Sequence, residues 1–118
     1  MKPQSNLLFA AAVTLTLLAS ACSSATSVGG TGSTCASDSS LTYGNFGQAF
    51  IQTNCGGCHG GRSRTDLSTQ AAVQANKTAI DQVAAAGPNG ENTTMPQNGT
   101  VSTADRTKLG EWLACGAP

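Results

Sequence analysis

The run Cys55-Gly56-Gly57-Cys58-His59 sets two thiols three positions apart, with an imidazole directly after the second. This is the C-x-x-C-H pattern of covalent haem attachment. The spacing has a chemical reason. One short turn presents both thiols to the two vinyl groups of a single porphyrin, and the next side chain is left as the proximal ligand to the iron. Two other uses of paired cysteines fit less well. A thioredoxin-like C-x-x-C belongs to a βαβ context, which the pattern of this chain lacks. A zinc site needs a fourth ligand, and neither Cys35 nor Cys115 forms a second knuckle.

His59 is the one histidine in the chain. A bis-histidine haem and a second C-x-x-C-H haem are therefore excluded within this sequence. With Met1 lost in a leader, Met95 is the remaining methionine, and Pro96 after it fixes the local backbone and removes a donor. A thioether in the sixth position is neutral and soft, which favours ferrous iron and raises the reduction potential. The plainer use of Met95 is as a flexible filler of the core. Asn92, Asn98 and Lys77 are further candidates for the sixth position, with less context behind them.

The ends of the chain locate the molecule. Lys2, the apolar run Leu7 to Leu18 and the small residues Ala19-Ser20-Ala21 read as a signal peptide over residues 1–21. The twelve residues of that run fall short of the roughly 20 that span a bilayer. Cys22 follows at once and resembles the acylated cysteine of a bacterial lipobox, although Leu18 stands four residues before it rather than three. Residues 22–40 are nearly all Ser, Thr, Gly and Ala and read as a flexible tether to a domain over 41–118. Cys35 and Cys115 are the two cysteines left over, a candidate disulfide in an oxidising compartment. The expected location is the periplasmic face of a membrane through a lipid on Cys22, or else the soluble periplasm.

Charge excludes some partners. Charged residues make up 10% of the chain and balance to zero, so no basic face for nucleic acid is present. Losing Lys2 leaves five basic and six acidic side chains, too few for strong steering of a partner.

No strand pattern shows in the mature chain, so the expected class is all-α. Phe46 and Phe50, and Gly47 and Ile51, stand four apart and predict a helix ending before Cys55. Gly47 within a helix costs about 1 kcal/mol against Ala, which invites a packing reason. Ser68 or Thr69 caps a helix that Gly87-Pro88-Asn89-Gly90 stops. Ser102 and Asp105 resemble a capping box, and Leu109, Trp112 and Leu113 form one apolar stripe in the helix that follows.

Helix, C-x-x-C-H, variable middle, Met95-Pro96 and a final helix with Trp112-Leu113 together resemble the class I monohaem c-type cytochrome domain. Gly47, Ile51 and Cys55 stand at that family's spacing, and Gly116-Ala117-Pro118 is similar to the ending of many bacterial members. The resemblance implies a small cytochrome c-like fold with N- and C-terminal helices crossing at Gly47 and haem in the core. It also implies one covalent haem c on Cys55 and Cys58, with His59 and Met95 as the axial pair. A Pro common after the haem run is replaced by Gly60-Gly61-Arg62, which leaves open the carbonyl that orients His59. Saturated iron implies a monomeric electron carrier, not an enzyme, serving redox partners such as an oxidase, reductase or dehydrogenase. The alternative is a haem-based sensor or enzyme with a labile sixth ligand. A haem-free module, with Cys55 and Cys58 as a redox pair or metal clip, is the third reading.

Overall fold

The structure is a computed structural model that describes residues 30–61 and 65–118. The expected leader, Cys22, Arg62 and Arg64 lie outside the described residues. A π-helical turn, Tyr43–Gly47, runs directly into α1, Gln48–Asn54. Thr42 starts it with a reciprocal cap. The Asn45 N–H donates to Thr42 Oγ1 at 3.2 Å and the Thr42 N–H to Asn45 Oδ1 at 2.7 Å. A single turn, α2 (Gly56–His59), carries the second cysteine and the histidine. The long α3, Gln70–Ala84, is capped by Thr69, whose hydroxyl accepts from the Ala72 N–H at 3.2 Å. The last helix, α4, spans Thr103–Ala114 behind Ser102. Its capping box is altered: Asp105 N–H donates to Ser102 Oγ, and that hydroxyl donates to the Asp105 carboxylate at 2.8 Å.

The helices meet through one stripe of α4. Leu109, Trp112 and Leu113 are buried on it, packed with Phe50, Ile51 and Val73. Gly47 faces the Trp112 indole so closely that a Cβ there would stand 2.8 Å from Cε2 and nearer still to Cζ2 and Cη2. Tyr43 and Phe46 flank the same indole at ring distances of 6.4 and 5.9 Å. The helix formed by the Phe46/Phe50 spacing thus crosses the last helix where its glycine removes the obstructing atom.

Two features depart from the sequence reading. The stop after α3 is a small antiparallel hairpin, β1 (Ala86–Gly87) with β2 (Gly90–Glu91), turning at Pro88-Asn89. Pairs of two residues are too short to show alternation, so no period-2 pattern marks them in the sequence. The other departure is the tether. From Gly30 on, the Ser/Gly/Thr-rich stretch lies against the domain instead of hanging free. Thr31 is 1% exposed; its N–H and hydroxyl both donate to the buried Asp81 carboxylate, at 3.1 and 2.7 Å. Its carbonyl accepts from the Asn89 N–H, and Ser33 Oγ donates to the Ala86 carbonyl. This strap is held by hydrogen bonds rather than apolar burial, so hydropathy does not reveal it. Gly87 and Gly110 leave the space it fills, since a Cβ at either would collide with Ser33.

A disulfide joins Cys35 at the end of the strap to Cys115 at the end of α4, with Cα atoms 4.6 Å apart. Beyond it the chain reverses in a Schellman motif. The Gly116 N–H donates to the Leu113 carbonyl and the Ala117 N–H to the Trp112 carbonyl, with Gly116 at φ +96°. The buried Ala117 carbonyl accepts from Gln70 and Gln74 of α3. Pro118 O accepts from the Tyr43 N–H, closing the C-terminus onto the start of the first helix.

Candidate functional site

Helical geometry gathers the C-G-G-C-H run. The Cys55 carbonyl accepts from both the Cys58 N–H (3.1 Å) and the His59 N–H (2.8 Å). Residues three apart on such a turn share a face, so the two thiols point to one side. Gly60 ends the turn, and a Cβ there would lie 2.6 Å from the Gly56 carbonyl oxygen. Gly57, by contrast, has open space around its α-carbon. Both cysteines are free thiols. Burial pushes the Cys55 thiol above its usual pKa and keeps it protonated, while Cys58 is exposed.

These side chains line a cavity of about 460 Å³. Its floor is Cys55, Cys58, His59 and Leu67. One wall is a single face of α3, with Asn76, Ala79, Ile80, Val83 and Ala84 at i, i+3, i+4, i+7 and i+8. A further stretch of the lining is the lip Met95-Pro96-Gln97-Asn98-Gly99-Thr100. All four expected cofactor-binding residues, separated by up to 40 positions in sequence, therefore border one mostly apolar space. Asn98 shares the lip with Met95. Asn92 is used elsewhere, donating to the Asp81 carbonyl at 2.8 Å.

The carbonyl that orients His59 is that of Thr65, 2.8 Å from Nδ1. A carbonyl can only accept, so Nδ1 carries a proton, the arrangement that in a neutral ring assigns metal ligation to Nε2. The residues just after Thr65 are tied down by two bonds. The Leu67 N–H donates to the His59 carbonyl at 2.8 Å, and the Ser68 N–H donates to Asp66 Oδ1 at 2.8 Å. The Ser68 bonds hold the exposed Asp66 carboxyl below its usual range. Sequence reading missed Thr65 because the bond comes from main chain and carries no residue signature.

A second missed residue is Arg106. It lies on the buried face of α4 at 3% exposure, three residues before Leu109, and its Nη1 donates to the carbonyls of Ala84 (2.6 Å), Asn92 (2.8 Å) and Met95 (2.8 Å). Nε faces Glu91 Oε1 at 3.6 Å. An Arg extending an apolar stripe by one turn was the available signal.

A family model described as cytochrome C oxidase, cbb3-type, subunit III matches residues 45–113, more than half of the chain. The chain belongs to this family of c-type cytochrome domains. No curated protein and no solved structure matches it significantly. The matched span of the cytochrome domain opens beside the cap of the first helix, takes in Cys55, Cys58, His59 and Met95, and closes on Leu113. It leaves out the Thr31 strap, Cys35 and Cys115. Such a domain is a c-type haem electron-transfer module, and covalently bound haem c comes with the family.

The donor set of the cytochrome domain suits that group. Two free thiols, an imidazole and a thioether all border one mostly apolar cavity whose volume falls in the ~300–1,000 Å³ range of small-molecule sites. Among the described residues no helix is long and apolar enough to cross a membrane.

Proposed function

We propose that this chain is a one-haem electron carrier with His59 and Met95 as axial ligands, exported and held at a membrane by a lipid on Cys22. The observation that carries the reading is that Met95 and His59 border the same cavity as the two attachment cysteines. Haem c supplies a one-electron iron couple that works without an open coordination position when both axial sites are filled. The protein's part is to bind, orient and exclude water. Cys55 and Cys58 fix the group through their sulfurs. The Thr65 carbonyl holds the Nδ1 proton of His59 and with it the orientation of the ring, so that Nε2 would be the atom to bind the iron. Ile80, Val83 and Ala84 keep the interior apolar, which with the neutral thioether of Met95 favours the reduced state.

With His59 the one histidine of the chain and Met95 proposed for the other side of the iron, the role we propose is that of a carrier rather than an enzyme. Its partners are redox proteins, an oxidase being the one the family description names. Encounters of this kind are small and short-lived. The test is a potentiometric titration of the purified holoprotein and its Met95→Ala variant, alongside intact mass. One covalent haem in both and a lower potential in Met95→Ala are expected. An unchanged potential removes Met95 from the axial position, and a mass without covalent haem removes the reading altogether.

A further inference from the structure

The Met95 lip has few anchors. The Met95 N–H donates to the Val83 carbonyl of α3 at 2.8 Å, and its carbonyl accepts from Arg106 Nη1 of α4 at 2.8 Å. From 96 to 101 the chain makes no hydrogen bond to either helix before Ser102 caps α4. One peptide on each side of the Met95 α-carbon thus fixes where the side chain starts.

Arg106 is an expensive way to fill its position. A buried cation is tolerated only when paired and hydrogen-bonded, and an apolar residue would extend the Leu109/Leu113 stripe of α4 at no such cost. The guanidinium instead joins three segments that no other side chain joins: the end of α3 at Ala84, the exit of the hairpin at Asn92, and Met95 itself. Glu91 balances its charge across 3.6 Å and is itself steadied by the Thr103 hydroxyl at 3.1 Å. The bonds end on main-chain carbonyls, so they fix the position of the loop independently of its side chains.

We propose that Arg106 is the positioning residue for the sixth ligand: the Arg106–Glu91 pair holds the Met95 peptide so that the thioether stays over the cavity, and thereby sets how often that side opens. The proposal rests on Met95 being an axial ligand. An external ligand binds only the open form, so its apparent affinity scales with the open fraction. Loss of charge-assisted bonds to the Met95 segment raises that fraction by roughly tenfold or more.

The test uses the full-length ferric holoprotein, titrated with imidazole, with the near-infrared absorption of thioether-ligated haem recorded in parallel. Arg106→Met keeps the volume and removes the donors. It is expected to bind imidazole at least roughly tenfold more tightly than wild type and to lose near-infrared intensity. Gly47→Ala, which loosens the fold at the helix crossing, supplies the comparison for simple destabilisation and is expected to leave imidazole affinity within about twofold of wild type. If Arg106→Met fails to accumulate as holoprotein, Arg106→Gln, which cannot reach all three carbonyls, is read in its place. Imidazole affinity in the Arg106 variant equal to that of wild type or of Gly47→Ala overturns the proposal. Met95→Ala separates the two levels. Tight imidazole binding there with an unmoved Arg106 variant sinks the positioning role alone, whereas an unmoved Met95→Ala sinks the axial reading and the proposal with it.

Discussion

Replacing Gly47 with Ala isolates the contact on which the helix crossing depends. Gly47 sits at φ −59°, ψ −46°, an ordinary helical conformation, so Ala is free of backbone strain there. In an open helix the change would stabilise by about 1 kcal/mol. Here the new methyl would meet Trp112, 2.8 Å from Cε2 and closer to two further ring atoms. That indole is fully buried and held between Tyr43 and Phe46, so it has no room to swing aside. Overpacking of this kind costs about 1–3 kcal/mol, sometimes more. With three ring atoms crowded by the one methyl, the cost falls in the upper part of that range, about 2–3 kcal/mol, so the net loss after the helix gain is about 1–2 kcal/mol, or roughly 4–16 °C in melting temperature for a domain of this size. Guanidinium and thermal unfolding of the holoprotein read it directly. Trp112→Leu in the Gly47→Ala background should recover part of the loss, with a coupling of about 0.5–3 kcal/mol in the double-mutant cycle. A Gly47→Ala protein as stable as wild type, or a cycle with no coupling, refutes the crossing as described.

The strap and its disulfide give a second expectation. Cys35→Ser with Cys115→Ser opens a loop of 80 residues and should cost about 2–5 kcal/mol by chain entropy. Thr31→Val removes the hydroxyl donor of the buried Asp81 carboxylate while keeping the main-chain one, and should cost about 1–3 kcal/mol; urea titration of each checks both figures, and a flexible tether would leave the Thr31→Val midpoint unmoved. Expression without haem attachment gives a third. The apolar lining of the 460 Å³ cavity is then left to water and the core loses its largest filler, so Cys55→Ala/Cys58→Ala protein made without haem should lack a cooperative melt by circular dichroism.

What was legible in the sequence was what side-chain pattern encodes. The i, i+4 pairs around Gly47 and Ile51, the Ser102 cap and the Leu109/Trp112/Leu113 stripe produced helices where they stand in the structure. The C-x-x-C-H run likewise defines its own turn, because the spacing and the shared Cys55 carbonyl are local. What escaped reading is held by main-chain partners. Thr65 orients His59 through its carbonyl, and Arg106 reaches Ala84, Asn92 and Met95 through theirs, so residue identity at the acceptor gives no sign of either. The strap failed for a related reason. Thr31 and Ser33 are the residue types of a linker, and only the buried carboxylate of Asp81, fifty positions away, turns them into packed structure. A buried Asp within α3 and a glycine in the middle of α4 were the traces it left.

The central claim, a carrier whose iron is closed on both sides by His59 and Met95, is tested most directly by adding carbon monoxide to the reduced holoprotein at neutral pH. The wild-type spectrum is expected not to change on mixing, and that of Met95→Ala to change promptly. Rapid stoichiometric binding by the wild-type protein would contradict it and would make the chain a ligand-binding haem protein instead.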